Sequence, residues 1–137
     1  MNHNRIFRVL LGLVLILAIG CGPAWAADIR NVSALEARSL IQANQDNPDF
    51  IILDVRTPYE YNSGHIAGAH LLNYKSAEFP EGLKRLDKTA TYLVYCRTGN
   101  RSAGALRLMA SMGFEKIFHL NAGIMDWSSR KLPLMKQ

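Results

Sequence analysis

The chain has 137 residues, 49% of them hydrophobic and 20% charged, with 16 Lys and Arg against 11 Asp and Glu for a formal charge of +5. That length builds one core rather than two domains of ordinary size, and that balance is globular rather than disordered. The cations are scattered without interleaved aromatic clusters, which argues against a nucleic-acid partner and leaves a modest attraction for small anions.

The first 26 residues read as a secretory signal. Arg5 and Arg8 make a cationic start, Val9 to Ile19 form an uncharged apolar run, and Ala24-Trp25-Ala26 offers the small-x-small pattern of a cleavage site. The run is shorter than the roughly 20 residues of a membrane span, so no permanent transmembrane span is expected. The alternative is a lipoprotein signal at Ala18-Ile19-Gly20-Cys21, with Cys21 lipidated and the chain anchored to a membrane. Cleavage after Ala26 is favoured, because the first position of the lipoprotein pattern is more often Leu than Ala. The expected product is a periplasmic or secreted bacterial domain of residues 27–137. It carries 14 basic against 11 acidic side chains, since the lost segment holds two arginines and no acid.

The rest alternates between helical and strand patterns. Ser33-Ala34-Leu35-Glu36 is a capping box opening a helix that ends near Asn44. Phe50 to Val55 is a continuous apolar run of strand length, of the kind buried on both faces of a parallel sheet. Thr57-Pro58-Tyr59-Glu60 pairs capping-box spacing with proline at the first helical position and starts a short helix. Gly64 and Gly68 punctuate a loop before a brief strand near Ala69 to Leu72. A short helix falls within Ala77 to Leu86, interrupted by Pro80 and Gly82. Strands at Thr91 to Tyr95 and Lys116 to Leu120 enclose a helix from Ser102 to Met112, stopped by Gly113, and Gly123 to Arg130 is a final helix. This alternation predicts an α/β fold, a parallel sheet flanked by helices on both faces, with ligands bound beyond the carboxyl ends of the strands.

Cys96 ends one of those strands. The loop Cys96-Arg97-Thr98-Gly99-Asn100-Arg101 and Ser102 feed directly into a helix, so backbone N–H groups point inward. The helix dipole and two guanidinium groups favour thiolate over thiol. Either cleavage removes Cys21 from pairing and leaves Cys96 without an intramolecular partner, a liability in an oxidising compartment unless the thiol works as a nucleophile. No Cys-x-x-Cys pair and no His/Cys cluster of metal-ligand spacing is present. His65 and His70 read as structural, Tyr95 and Trp127 as core aromatics, and His119 and Asp126 receive no role.

These residues resemble the rhodanese family. Asp54-Val55-Arg56-Thr57-Pro58-Tyr59-Glu60-Tyr61, continuing through Gly64-His65-Ile66-Ala67-Gly68-Ala69, is similar to its first homology motif. Tyr95 to Ser102 resembles its active-site loop, and Asn121-Ala122-Gly123-Ile124-Met125-Asp126-Trp127 its closing Gly-Gly-x-x-x-Trp motif, with Ala122 where the family often has glycine. The resemblance implies a single-domain sulfurtransferase of rhodanese-like fold that needs no cofactor. By that likeness Cys96 takes a sulfane sulfur from thiosulfate or a similar small donor, becomes a persulfide, and passes the sulfur to a thiol, to cyanide or to a protein acceptor. Backbone N–H groups from Arg97, Thr98, Gly99, Asn100, Arg101 and Ser102 are candidates to hold the anionic sulfur, and Asp54 and Arg56 are candidate supports for the loop. A persulfide carrier and a non-catalytic binding module are the other readings, although binding modules of this family typically lack the cysteine. Cysteine phosphatases and arsenate reductases use Cys-x5-Arg, whereas here the arginine falls one residue early at Arg101, a cup better sized for a single sulfur.

Overall fold

Local sequence sets most element starts in the computed structural model, which describes residues 26–137. The cleavage signal and Cys21 fall on residues 1–25 and lie outside the described residues, Ala26 alone excepted. The elements are β1 (Asp28–Val32), α1 (Ala34–Ala43), β2 (Phe50–Asp54), α2 (Pro58–Ser63), β3 (His70–Leu71), α3 (Phe79–Lys84), β4 (Thr91–Tyr95), α4 (Asn100–Ser111), β5 (Lys116–Leu120) and α5 (Gly123–Ser129). Both capping boxes form. Ser33 and Glu36 open α1, and Thr57 and Glu60 open α2 with proline in its first turn.

The five strands make one parallel sheet in the order β1-β5-β4-β2-β3. Alternation along β4 divides the core between the two faces. Tyr92, Val94 and Cys96 point to the side covered by α3 and α4, packing with Phe79, Leu83, Ala105, Leu106 and Met109. Leu93 and Tyr95 point to the side covered by α1 and α5, packing with Ala34, Ala37, Ile124 and Trp127. Burying both faces of β4 fixes the carboxyl end of that strand, where Cys96 sits, in the middle of the sheet.

Two features differ from the sequence expectations. Strand β1 was not anticipated: Asp28-Ile29-Arg30-Asn31-Val32 buries only Val32, because it is an edge strand paired to β5 alone. Helix α4 begins at Asn100, two residues early, because Gly99 turns the chain with φ of 101° and the helix starts immediately after it. Among the described residues no helix is long and apolar enough to cross a membrane.

Candidate active site

The candidate site lies beyond the carboxyl ends of β4 and β2. Cys96 is 1% exposed and is the one free cysteine among the described residues. The Gly99 N–H donates to its Sγ at 3.0 Å, and the Ser102 hydroxyl lies 3.4 Å from the sulfur. Burial pushes the thiol pKa up, but the Ser102 hydroxyl and the N–H groups of Ser102, Gly99 and Thr98 favour the thiolate more strongly. The net shift is downward from the ordinary thiol value.

The loop is shaped by α5 from below. The N–H groups of Ile124 and Met125 donate to the carbonyls of Cys96 and Arg97 at 2.9 and 3.2 Å, so those carbonyls turn away from the sulfur. This close approach explains two glycines. Gly99 has positive φ, and a Cβ there would strike the Asn121 carbonyl. Gly123 also has positive φ, at 66°, and a Cβ there would strike the Arg97 carbonyl and the Thr98 nitrogen. Ala122, by contrast, sits at φ of −90°, so alanine in place of the family's first glycine costs the backbone nothing.

The loop's polar side chains divide between solvent and interior. Arg97, Thr98 and Asn100 are exposed, while Gly99 and Ser102 are buried. Arg97 has no ion-pair partner among the described residues. Arg101, by contrast, is paired. Its two terminal nitrogens donate to the two carboxylate oxygens of Glu60, each at 2.7 Å, so this guanidinium is neutralised by α2 rather than held free for an incoming anion. Glu60 also accepts from the Thr57 hydroxyl and N–H at 2.8 and 3.0 Å. The Arg101 guanidinium first, then the Thr57 contacts, bring its pKa down to about 2 against the opposing effect of burial. Glu60 reads in sequence only as a helix cap, and nothing local points to its partner 41 residues away.

Asp54 and Arg56 form a buried pair, with Arg56 Nε at 3.0 Å from both carboxylate oxygens. Neither is hydrogen-bonded to Cys96. Arg56 also donates to the Gly64 carbonyl at 2.8 Å and lies over the Tyr95 ring, 5.6 Å from its centroid. Tyr95 in turn accepts from the Ile66 N–H at 3.1 Å. The pair therefore ties the α2–β3 loop to the residue preceding Cys96. His65 stacks on Tyr61 at 3.7 Å, the packing arrangement of a structural histidine. Trp127 is buried, with its indole N–H donating to the Pro133 carbonyl. Asp126 accepts from the Ala34 N–H at 2.8 Å and so satisfies the first turn of α1 from α5.

His119, which received no role from the linear chain, is placed in the site. It is 7% exposed, with Nε2 at 2.8 Å from Ser102 Oγ and Nδ1 at 3.1 Å from Asn31 Oδ1. Residues Asn31 and His119 are register partners across β1 and β5. Cys96, Ser102, His119 and Asn31 thus form one continuous line of polar contacts.

Comparison with known proteins bears on the family and the fold. The family model described as a rhodanese-like domain matches residues 36–130. The chain is 34% identical over 110 residues to the probable adenylyltransferase/sulfurtransferase MoeZ of Mycobacterium tuberculosis, covering 80% of this chain but only 28% of that longer protein. It is 31% identical to the thiosulfate sulfurtransferase GlpE of Tolumonas auensis, covering 70% of this chain and 85% of that one. Among solved structures, a rhodanese-related protein from Thermoplasma volcanium superposes with a TM-score of 0.65 at 29% identity, covering 79% of this chain and 99% of the other.

Proposed function

The chain belongs to the rhodanese-like sulfurtransferase family, and from that premise we propose that it transfers a sulfane sulfur from thiosulfate, or a donor like it, through a persulfide on Cys96. The Cys96 thiolate attacks the outer sulfur of the donor. A bond forms between Sγ and that sulfur, the donor's S–S bond breaks, and sulfite departs with the bonding electron pair. A thiol, cyanide or the thiolate of a protein acceptor then attacks the outer sulfur and releases Cys96 as thiolate.

The observation that carries this reading is the set of donors converging on Sγ. The thiolate is already favoured by Ser102, Gly99 and Thr98, so the attack needs no base to strip a proton at the moment of reaction. In this reading the same donors stabilise the anionic persulfide. Arg97, exposed and without a carboxylate partner among the described residues, supplies the loop's uncompensated positive charge for a dianionic donor. The engagement of Arg101 by Glu60 weighs against the phosphatase reading, because the arginine that would grip a tetrahedral oxyanion is already occupied. The presence of Cys96 with hydrogen-bond donors on its sulfur weighs against a module that only binds.

Intact-mass spectrometry after exposure to thiosulfate tests the proposal without assuming an acceptor. Wild-type protein should gain one sulfur atom and Cys96→Ser none. Wild-type protein left unmodified by thiosulfate and by other sulfane donors would remove sulfur transfer as the activity.

A further inference from the structure

One hydroxyl proton serves three neighbours at the centre of the site. Ser102 Oγ lies 3.0 Å from the Gly99 carbonyl, 3.4 Å from Cys96 Sγ and 2.8 Å from His119 Nε2. Where that proton points depends on the ring beside it. With Asn31 Oδ1 facing Nδ1, a neutral His119 carries its proton on Nδ1 and offers the Nε2 lone pair to the Ser102 hydroxyl. The hydroxyl then turns away from the sulfur. A His119 protonated at both nitrogens keeps its bond to Asn31, donates from Nε2 to Ser102 Oγ, and leaves the Ser102 proton free to bond the sulfur.

We propose that His119, held by Asn31, is the resident acceptor of the Cys96 proton and receives it through Ser102. The S–H proton moves to Ser102 Oγ while the Ser102 proton moves to Nε2, so Ser102 stays neutral and the products are a thiolate and an imidazolium. The thiolate then accepts a hydrogen bond from a hydroxyl that is itself fixed by the imidazolium. His119 touches sulfur only through Ser102 and is therefore a positioning residue, oriented by a third group as in other nucleophile–base arrangements. The inference rests on Cys96 working as a thiolate, as the proposed sulfur transfer requires.

The surroundings suit this assignment. The groups facing His119 are the Ser102 hydroxyl from α4, the Gly99 carbonyl from the loop, the Asn31 amide from β1 and, one hydroxyl further, the Cys96 thiol from β4. No carboxylate or cation among the described residues is paired with it. Burial, the larger effect, opposes the imidazolium and holds the His119 pKa below its ordinary value, while the Gly99 carbonyl favours the charged form. The thiolate supplies the counter-charge that an isolated buried imidazolium would lack, so the two groups titrate as a pair. Arg101, whose charge acts on Cys96, is itself compensated by Glu60.

The test reads both groups in the wild-type protein. Ultraviolet absorbance of the thiolate and the nitrogen NMR shifts of His119 are followed across one pH titration. The expected result is a pH interval in which Cys96 is thiolate while both His119 nitrogens carry protons. His119 neutral wherever Cys96 is thiolate would overturn the relay. His119→Gln provides the second arm, since glutamine can still hold the Ser102 hydroxyl but cannot take a proton. The Cys96 midpoint should rise by about one pH unit in His119→Gln and in Ser102→Ala. A midpoint restored to wild type by glutamine would show that His119 only supports the loop. Both readouts are independent of sulfur transfer, so failure of thiosulfate loading in a protein that passes them counts against the donor chemistry and not against the relay.

Discussion

Glu60→Gln separates the electrostatic role of Glu60 from its role as a helix cap. In the wild-type protein its carboxylate accepts four hydrogen bonds, two from Arg101 and two from Thr57. Glutamine keeps an oxygen for Thr57 but offers an N–H₂ to one arm of the guanidinium, so the variant retains much of the α2 cap and loses the link between α2 and the catalytic loop. Glu60 titrates near 2 when folded and at the ordinary 4.5 when unfolded. At about 1.4 kcal/mol per pH unit this difference is worth roughly 3 kcal/mol of folding free energy. The carboxylate side chain is 25% exposed, so solvent screening trims the expected loss to about 2 kcal/mol at neutral pH. The sign follows from the lowered folded pKa: the contribution is complete above 4.5 and disappears as pH falls towards 2. Denaturant unfolding of both proteins across that interval isolates it, because the other carboxylates titrate alike in each and cancel in the difference. Wild type should be the more stable by about 2 kcal/mol at pH 7, with the gap closing progressively below 4.5. Parallel stability curves from pH 7 to pH 2 would refute the claim that the Glu60–Arg101 pair holds the loop.

Gly123→Ala should destabilise the fold by more than about 1 kcal/mol, since alanine is strained at that positive φ and its Cβ meets the Arg97 carbonyl, and it should also lower the rate of persulfide formation. Ala122→Gly is the control and should change stability by less than about 1 kcal/mol in the same unfolding assay. Arg97→Ala should raise KM for thiosulfate about fivefold and flatten the salt dependence of kcat/KM, as loss of roughly 1 kcal/mol of long-range attraction dictates. Arg101→Ala, which strands Glu60, should instead be recognised by a lower Tm; equal kinetics and equal salt slopes for wild type and Arg97→Ala would show that backbone amides alone attract the donor. We further propose export with cleavage after Ala26: N-terminal sequencing of protein recovered from a secretion-competent bacterium should begin at Ala27; a chain beginning at a lipid-modified Cys21 would overturn that cleavage site, and an intact Met1 would overturn export.

What could be read from the linear chain follows the range of the interaction concerned. The Cys96 loop was legible because strand, glycine turn and helix start lie within a dozen consecutive residues, and the caps of α1 and α2 because their partners are three residues apart. Strand β1 was not, because an edge strand with four exposed residues has no apolar alternation to betray it; only its pairing with β5 makes it a strand. That omission hid Asn31, and with it the reason to choose His119 among the chain's histidines. Placing His119 beside Ser102 requires the order β1-β5-β4, which sets Asn31, His119 and the end of β4 side by side on the face covered by α4. The available signal was weak but physical. Lys116 to Leu120 alternates so that Ile117 and His119 share a face, and Ile117 is buried in the core cluster that contains Cys96. A histidine on that face, at the carboxyl end of a strand adjacent to the one ending in Cys96, is directed at the catalytic loop and away from solvent. Its polar nitrogens must then be satisfied there, and the groups within reach are the Ser102 hydroxyl and the Asn31 amide. Burying an imidazole between them places a titratable group one hydroxyl from a thiol whose ionisation is the first requirement of the proposed sulfur transfer.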